Sequence, residues 1–127
     1  MFEKSQAFSG FSVDDLAKAK KFYGETLGVE IEEMEGMGML LHLGGGGTVF
    51  IYPKENHQPA TFTVLNFPVD DIDAAVKQLK NKDVKFEKYE GMHQDDQDIA
   101  RGREAKMGPD IAWFTDPSGN VLSVLQN

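Results

Sequence analysis

The amino-acid sequence predicts an α+β fold: two tandem βαβββ modules whose strands build one curved, barrel-like mixed sheet with the helices on its outside. Two observations predict it. The chain repeats itself, and each copy shows the same succession of strand, helix and hairpin signals. Phe11-Ser12-Val13-Asp14-Asp15-Leu16 aligns with Phe67-Pro68-Val69-Asp70-Asp71-Ile72, an offset of 56 (67 − 11). The match runs on through Ala19 with Ala75 and Lys21 with Lys77. One deletion later, Val29-Glu30-Ile31-Glu32 lies beside Val84-Lys85-Phe86-Glu87. A second block aligns Leu43-Gly44-Gly45-Gly46-Gly47-Thr48-Val49 with Thr115-Asp116-Pro117-Ser118-Gly119-Asn120-Val121, an offset of 72 (115 − 43).

Each copy opens with a strand, about 7–13 and 60–69, that ends on Asp14-Asp15 or Asp70-Asp71. A carboxylate there accepts from the free N–H groups of a helix start. Apolar residues at Leu16, Ala19, Tyr23 and Leu27, and at Ile72, Ala75, Val76 and Leu79, have helical spacing. Second strands are expected at 29–34 and 84–89. Hairpins follow, 39–43 with 48–52 and 111–115 with 120–125. Asp116-Pro117-Ser118-Gly119 has the residues of a type I turn, and Gly44 to Gly47 permit an equivalent reversal. The first module covers about 1–54 and the second about 60–127, with a linker at 55–59. The offset grows from 56 to 72, so the second copy has 16 extra residues (72 − 56), in a long loop at 90–108. A loop of that length is either a lid or partner contact, or disordered.

Composition narrows the function. The chain has 127 residues, 40% of them hydrophobic and nine of them phenylalanine, enough for one domain's core. Its apolar runs are far shorter than a membrane span, and Met1-Phe2-Glu3-Lys4 does not open a secretory signal. Without cysteine there are no disulfides, thiolate nucleophiles or zinc–thiolate sites, which fits a cytoplasmic setting. A net charge of −8 with scattered basic residues excludes a nucleic-acid groove and serves solubility.

Alternation sorts the strands into two faces. Phe11 and Val13, and Leu65, Phe67 and Val69, form the greasy side. If Leu43 pairs with Thr48 and Thr115 with Asn120, that side also holds Met39, Leu41, Phe50, Tyr52, Trp113, Leu122 and Val124, and the helices pack there. The other, mixed face holds Phe8, Ser12, Leu40, His42, Val49, Ile51, Val64, Asn66, Phe114, Val121 and Ser123. A mostly apolar wall with a few polar groups suits an organic ligand, though a filled second core has the same composition.

The motifs Val13-Asp14-Asp15-Leu16, Phe22-Tyr23-Gly24-Glu25-Thr26-Leu27-Gly28 and Asp116-Pro117-Ser118-Gly119-Asn120, on two βαβββ units, resemble the vicinal oxygen chelate superfamily, the glyoxalase, bleomycin-resistance and extradiol-dioxygenase group. The resemblance spans nearly the whole chain and speaks to fold more than to activity. It implies metal-ligand positions at Phe8, Ile51, Val64 and Ser123. Phe, Val and Ile cannot coordinate a divalent ion and a lone Ser is a poor ligand, so no metal and no other cofactor is expected. A slip of one residue would place Ser9, Leu65 and Phe50 or Tyr52 there instead, still without His or carboxylate.

The expected function is therefore metal-independent binding of a small apolar or aromatic molecule, as in bleomycin resistance. The ligand-binding candidates are Phe8, Ser12, Leu40, His42, Ile51, Val64, Asn66, Phe114 and Ser123. The alternatives are a detoxifying lyase or isomerase, with His42 as the candidate base or ligand handle, and a non-catalytic partner-binding domain. His57 lies in a proline-bracketed connector. His93 with Asp95, Asp96 and Asp98 lacks the glycine and terminal Glu of an EF-hand loop. The glycine run has no following helix and no Lys-Ser/Thr for phosphate. No Ser/His/Asp arrangement stands out. Exposed sheet edges and family habit favour a homodimer.

Overall fold

Asp15 and Asp71 determine where the two helices begin. Each has extended backbone, and its side chain accepts from an N–H three residues on, Lys18 at 3.0 Å and Ala74 at 3.1 Å. The computed structural model describes all 127 residues and divides into two compact units, Met1–Gln58 and Pro59–Asn127. In the first unit α1 (Leu16–Lys21) runs into a π-helical turn at Phe22–Thr26. In the second, α2 (Ile72–Lys80) is amphipathic, burying Ile72 and Val76.

The first unit's sheet has the strands β1 (Ser9–Val13), β2 (Glu30–Met34), β3 (Gly38–His42) and β4 (Thr48–Pro53) in the order β1-β4-β3-β2. The second unit has β5 (Thr63–Pro68), β6 (Ala100–Arg101), β7 (Asp110–Thr115) and β8 (Val121–Gln126) in the order β5-β8-β7-β6. In each sheet the first strand pairs in parallel with the last strand of its unit, and the other pairs are antiparallel. The α+β class and the tandem modules hold, whereas the single barrel-like sheet does not. Each module completes a sheet of its own, with β1 and β2, or β5 and β6, as its edges.

Two further expectations are corrected. The hairpin turns contain five residues, not four. His42 pairs with Thr48, and Thr115 with Val121. Within the turns, Leu43 N–H donates to the Gly47 carbonyl and Gly46 N–H to that of Leu43, while Asp116 N–H donates to Asn120 and Gly119 N–H to Asp116. The two reversals share one geometry, with Gly46 at φ 88° and Gly119 at φ 84°, a region that needs glycine. The hairpins therefore superimpose at an offset of 73 (Phe114 on Leu41), and every β4 side chain in the first unit and every β7 side chain in the second lies on the face opposite to the expected one. The second strand of the second module also shrinks to a single bridge, Phe86 with Phe114, plus one bond from Glu87 N–H to the Trp113 carbonyl.

The long loop is ordered in the structure and supplies β6. Ile99 is fully buried. The Asp95 carboxylate accepts from the Gln97 and Ile99 amides and from Arg101 Nε, and the Gln94 side chain bridges Tyr89 N–H to the carbonyls of Glu87 and Asp98. Arg101 also makes a two-point contact with Asp73 on α2, and Asp98 pairs with Lys80 and Lys88. Asp73 is held below the usual carboxylate range by its Arg101 hydrogen bonds. Burial acts to raise Asp95 and Asp98, but the backbone and Arg101 bonds to Asp95 and the lysine bonds to Asp98 outweigh it and lower both.

The cores lie between each sheet and its own helix. Phe11, Val13, Met39, Leu41, Val49 and Ile51 face α1 and its π-helical extension, where the rings of Phe11 and Tyr23 are 6.1 Å apart. Ala112, Phe114, Leu122 and Val124 face α2, and Phe114 meets Phe86 with centroids 5.5 Å apart. Full burial of a side chain of this size contributes about 1.5–3 kcal/mol. That is why the alternating pattern, rather than strand propensity, decides which face the helix covers.

Candidate functional site

With one face of each sheet filled by its helix, the opposite face is where ligand chemistry has room. In the first unit that face carries Gly10 and Ser12 from β1, Phe50 and Tyr52 from β4, Leu40 and His42 from β3, and Glu30 and Glu32 from β2. Phe50 and Tyr52 stack, with centroids 5.6 Å apart and planes 20° apart. Imidazoles stand on both sides of this aromatic stripe. His42 Nε2 lies 2.8 Å from Glu32 Oε1, and His57 Nδ1 lies 2.6 Å from Ser12 Oγ. His57 belongs to the connector after β4, so the fold brings a linker histidine to a β1 serine that the sequence places 45 positions away. The arrangement offers a flat apolar surface and two polar handles, one of them carboxylate-supported.

In the second unit the face away from α2 carries Thr63, Asn66, Trp113, Val121 and Ser123, with Ser123 Oγ donating to Asn66 Oδ1. At one end of this face is an open pocket of about 320 Å³, lined by Thr61–Thr63, Tyr89, Glu90, Met92, Trp113 and Val121. Trp113 and Tyr89 meet edge to face, with centroids 5.5 Å apart and planes 74° apart. Burial, and then the charge of Glu87, raise the Tyr89 phenol above its ordinary value, so its ring is neutral through the working pH range. Wider hollows lie elsewhere. One of about 530 Å³ runs between the α1 side and β2, lined by Lys20, Lys21 and Glu25, and another of about 360 Å³ lies around Gly36. Both lack aromatic rings, so size alone does not mark the binding surface.

The expected site residues separate accordingly. Ser12, Leu40 and His42 share the face opposite the helix in the first unit, and Asn66 and Ser123 share the corresponding face in the second. Phe8 precedes β1 and is exposed. Ile51 and Phe114 are corrected: both are buried on the helix-packed face, turned there by the five-residue turns. Val64 is left unpaired at a bulge between Thr63 and Leu65, which breaks the alternation that put it beside Asn66. The alternating pattern puts Phe50, Tyr52 and Trp113 on the helix-packed side, and the structure places these aromatic residues on the opposite faces instead. The missed signal was in the turn itself, since Asp116 and Asn120 are both turn-forming residues and belong inside a five-residue reversal.

The donor set does not fit a divalent ion. Phe8, Val64 and Ile51 have no lone pair to give, and the re-registered β4 face supplies Phe50 and Tyr52 instead of imidazole or carboxylate. His42 and Glu32 are joined by no third ligand, and no group of three or more His, Asp or Glu side chains is arranged to hold a metal.

Residues 7–124 match the sequence profile of the Glyoxalase/Bleomycin resistance protein/Dioxygenase superfamily. No curated protein sequence matches the chain. Solved structures with the same fold include the antibiotic-binding protein TnmS3 from Streptomyces sp. CB03234, 24% identical, covering 94% of each chain with a TM-score of 0.62. The fosfomycin resistance protein FosX from Listeria monocytogenes is 14% identical, covering 95% of this chain and 91% of its own, with a TM-score of 0.69. Lactoylglutathione lyase from Agrobacterium tumefaciens is 19% identical, covering 98% and 96%, with a TM-score of 0.66. At these identities the likeness speaks to fold alone. No helix is long and apolar enough to cross a membrane.

Proposed function

The chain belongs to the Glyoxalase/Bleomycin resistance protein/Dioxygenase superfamily, and we propose that it binds a small apolar or aromatic organic molecule without a metal ion. The observation that carries this reading is the pocket around Trp113. Its volume of about 320 Å³ falls in the range of small-ligand sites, and rings rather than charges dominate its wall. The aromatic stripe of Phe50 and Tyr52 in the first unit repeats that chemistry. An antibiotic-binding protein among the proteins of the same fold is consistent with a binding role, as a lactoylglutathione lyase among them is with a catalytic one. The metal-free mode rests on the donor set, which lacks a third ligand.

A second reading follows from the 2.8 Å contact between His42 and Glu32. A carboxylate fixes the tautomer and orientation of its imidazole partner, so His42 is the residue through which an enzymatic activity would run. Native mass spectrometry of protein purified without chelator or affinity metal separates the two. A metal-free species carrying a discrete organic adduct, displaced together with a change in Trp113 fluorescence, is the expected result, and a homodimer is the expected subunit count. One divalent ion per subunit would overturn the metal-free assignment. Turnover of the identified adduct that His42→Ala abolishes would replace binding with catalysis.

A further inference from the structure

The pocket of the second unit has a charge character that its apolar wall conceals. Glu90 is among its lining residues and Glu87 acts on the Tyr89 phenol, whereas no lysine, arginine or histidine lines it. The chain as a whole has a net charge of −8, so the surrounding field attracts cations as well. Three aromatic residues, Phe62, Tyr89 and Trp113, and the polarisable thioether of Met92 complete the wall. Aromatic faces are the negative ends of their quadrupoles, and indole is the strongest of them toward a cation.

We infer that this pocket selects a small organic cation with a quaternary, trimethylammonium-type head. The inference rests on the reading of the Trp113 pocket as a ligand site and names what it holds. Hydrogen-bonding capacity decides among cations. A primary ammonium leaves water only if about three acceptors replace it, because each lost hydrogen bond of a charged donor is costly. The Glu90 carboxylate and the Thr61 and Thr63 hydroxyls would satisfy an ammonium only if all of them converged on it, whereas most of the wall, Phe62, Tyr89, Met92, Trp113 and Val121, offers methyl groups an apolar surface. A quaternary head has no N–H to satisfy, so rings can surround its methyl groups while Glu90 balances the charge from the rim. Its methyl groups also suit an open, mostly apolar pocket of about 320 Å³ better than a hydrated metal ion does. The edge-to-face meeting of Tyr89 with Trp113 supplies the angled aromatic corner that such a head needs.

Trp113 is the chain's one tryptophan, so its fluorescence reports the site directly. The experiment titrates the full chain with three probes: choline, the neutral isostere dimethylbutanol in which carbon replaces nitrogen, and benzyl alcohol. Choline is expected to quench saturably and to bind about tenfold tighter than its isostere. Glu90→Gln should weaken choline by about threefold and leave the two neutral probes unchanged. Tyr89→Leu, at a residue 38% exposed and so tolerant of substitution, should weaken choline by about tenfold. Equal or tighter binding of dimethylbutanol or benzyl alcohol would overturn cation selectivity and leave the pocket standing as an apolar site. A Trp113 signal unmoved by all three probes would overturn the pocket reading itself.

Discussion

The two units reach one backbone geometry by different chemistry. Their five-residue turns have matching hydrogen bonds and matching left-handed glycines at Gly46 and Gly119. In the first unit the turn is Leu43 and four glycines, and Gly44, Gly45 and Gly47 have open space around them. In the second the buried Asp116 carboxylate binds the Ser118 and Asn120 amides and the Asn120 side chain, at 2.9, 2.9 and 3.0 Å. One turn is permitted by the lack of side chains and the other is enforced by them. The same contrast holds at the second strand. β2 forms a five-residue ladder with β3, whereas the second unit keeps one bridge at Phe86 and then inserts a stretch anchored by Asp95, Arg101 and Ile99. That insertion ends the Phe86 pairing early, which leaves Tyr89, Glu90 and Met92 to wall the pocket.

If that contrast is correct, the turns respond unequally to mutation. Asp116→Ala strands buried donors, each costing about 1–3 kcal/mol, so a loss of about 3–5 kcal/mol is expected in urea unfolding. Gly45→Ala, in the counterpart turn, should change stability by no more than about 0.5 kcal/mol. Comparable losses from the two would mean that Asp116 does not enforce its turn.

Acid separates the units next. Asp73, Asp95 and Asp98, all in the second unit, are held below the ordinary carboxylate range. A lowered carboxyl stabilises the fold above its unfolded value of about 3.9 and loses that contribution as pH falls through the folded value. Hydrogen exchange, corrected for intrinsic rates, should show the Gln97 and Ile99 amides losing protection between about pH 4 and pH 2. The β3–β4 amides of the first unit should outlast them. Simultaneous loss would show that the insertion has no acid-sensitive anchor.

The smallest effect sharpens the comparison within one residue type. Alanine at Gly46 or Gly119 meets the same left-handed strain of about 1–2 kcal/mol. A Cβ at Gly119 would also lie 3.3 Å from Pro59 Cγ, whereas Gly46 has nothing within 4 Å. Gly119→Ala should therefore lower the unfolding free energy more than Gly46→Ala, by roughly 0.5 kcal/mol or more. An equal shift would mean that Pro59 yields.

Much of the fold was legible in the linear order of residues, because the signals that specify it are local. Asp15 and Asp71 cap the helices they precede, and the repeat at Phe11 and Phe67 announces two modules. Membership of the superfamily follows from the same motifs. What the sequence left undecided was side-chain direction. One residue of turn length reverses a whole strand, so Ile51 and Phe114 moved into the cores while Phe50, Tyr52 and Trp113 moved to the faces opposite the helices. The bulge at Val64 has no local signature, since it depends on how β5 meets β8. Nor does any spacing rule join Ser12 to His57, or Arg101 to both Asp73 and Asp95. Caps and periodicity act through neighbours along the chain, and these the sequence determined by itself. Register, the bulge and the distant ion pairs act through neighbours in space, and only the tertiary structure could decide them.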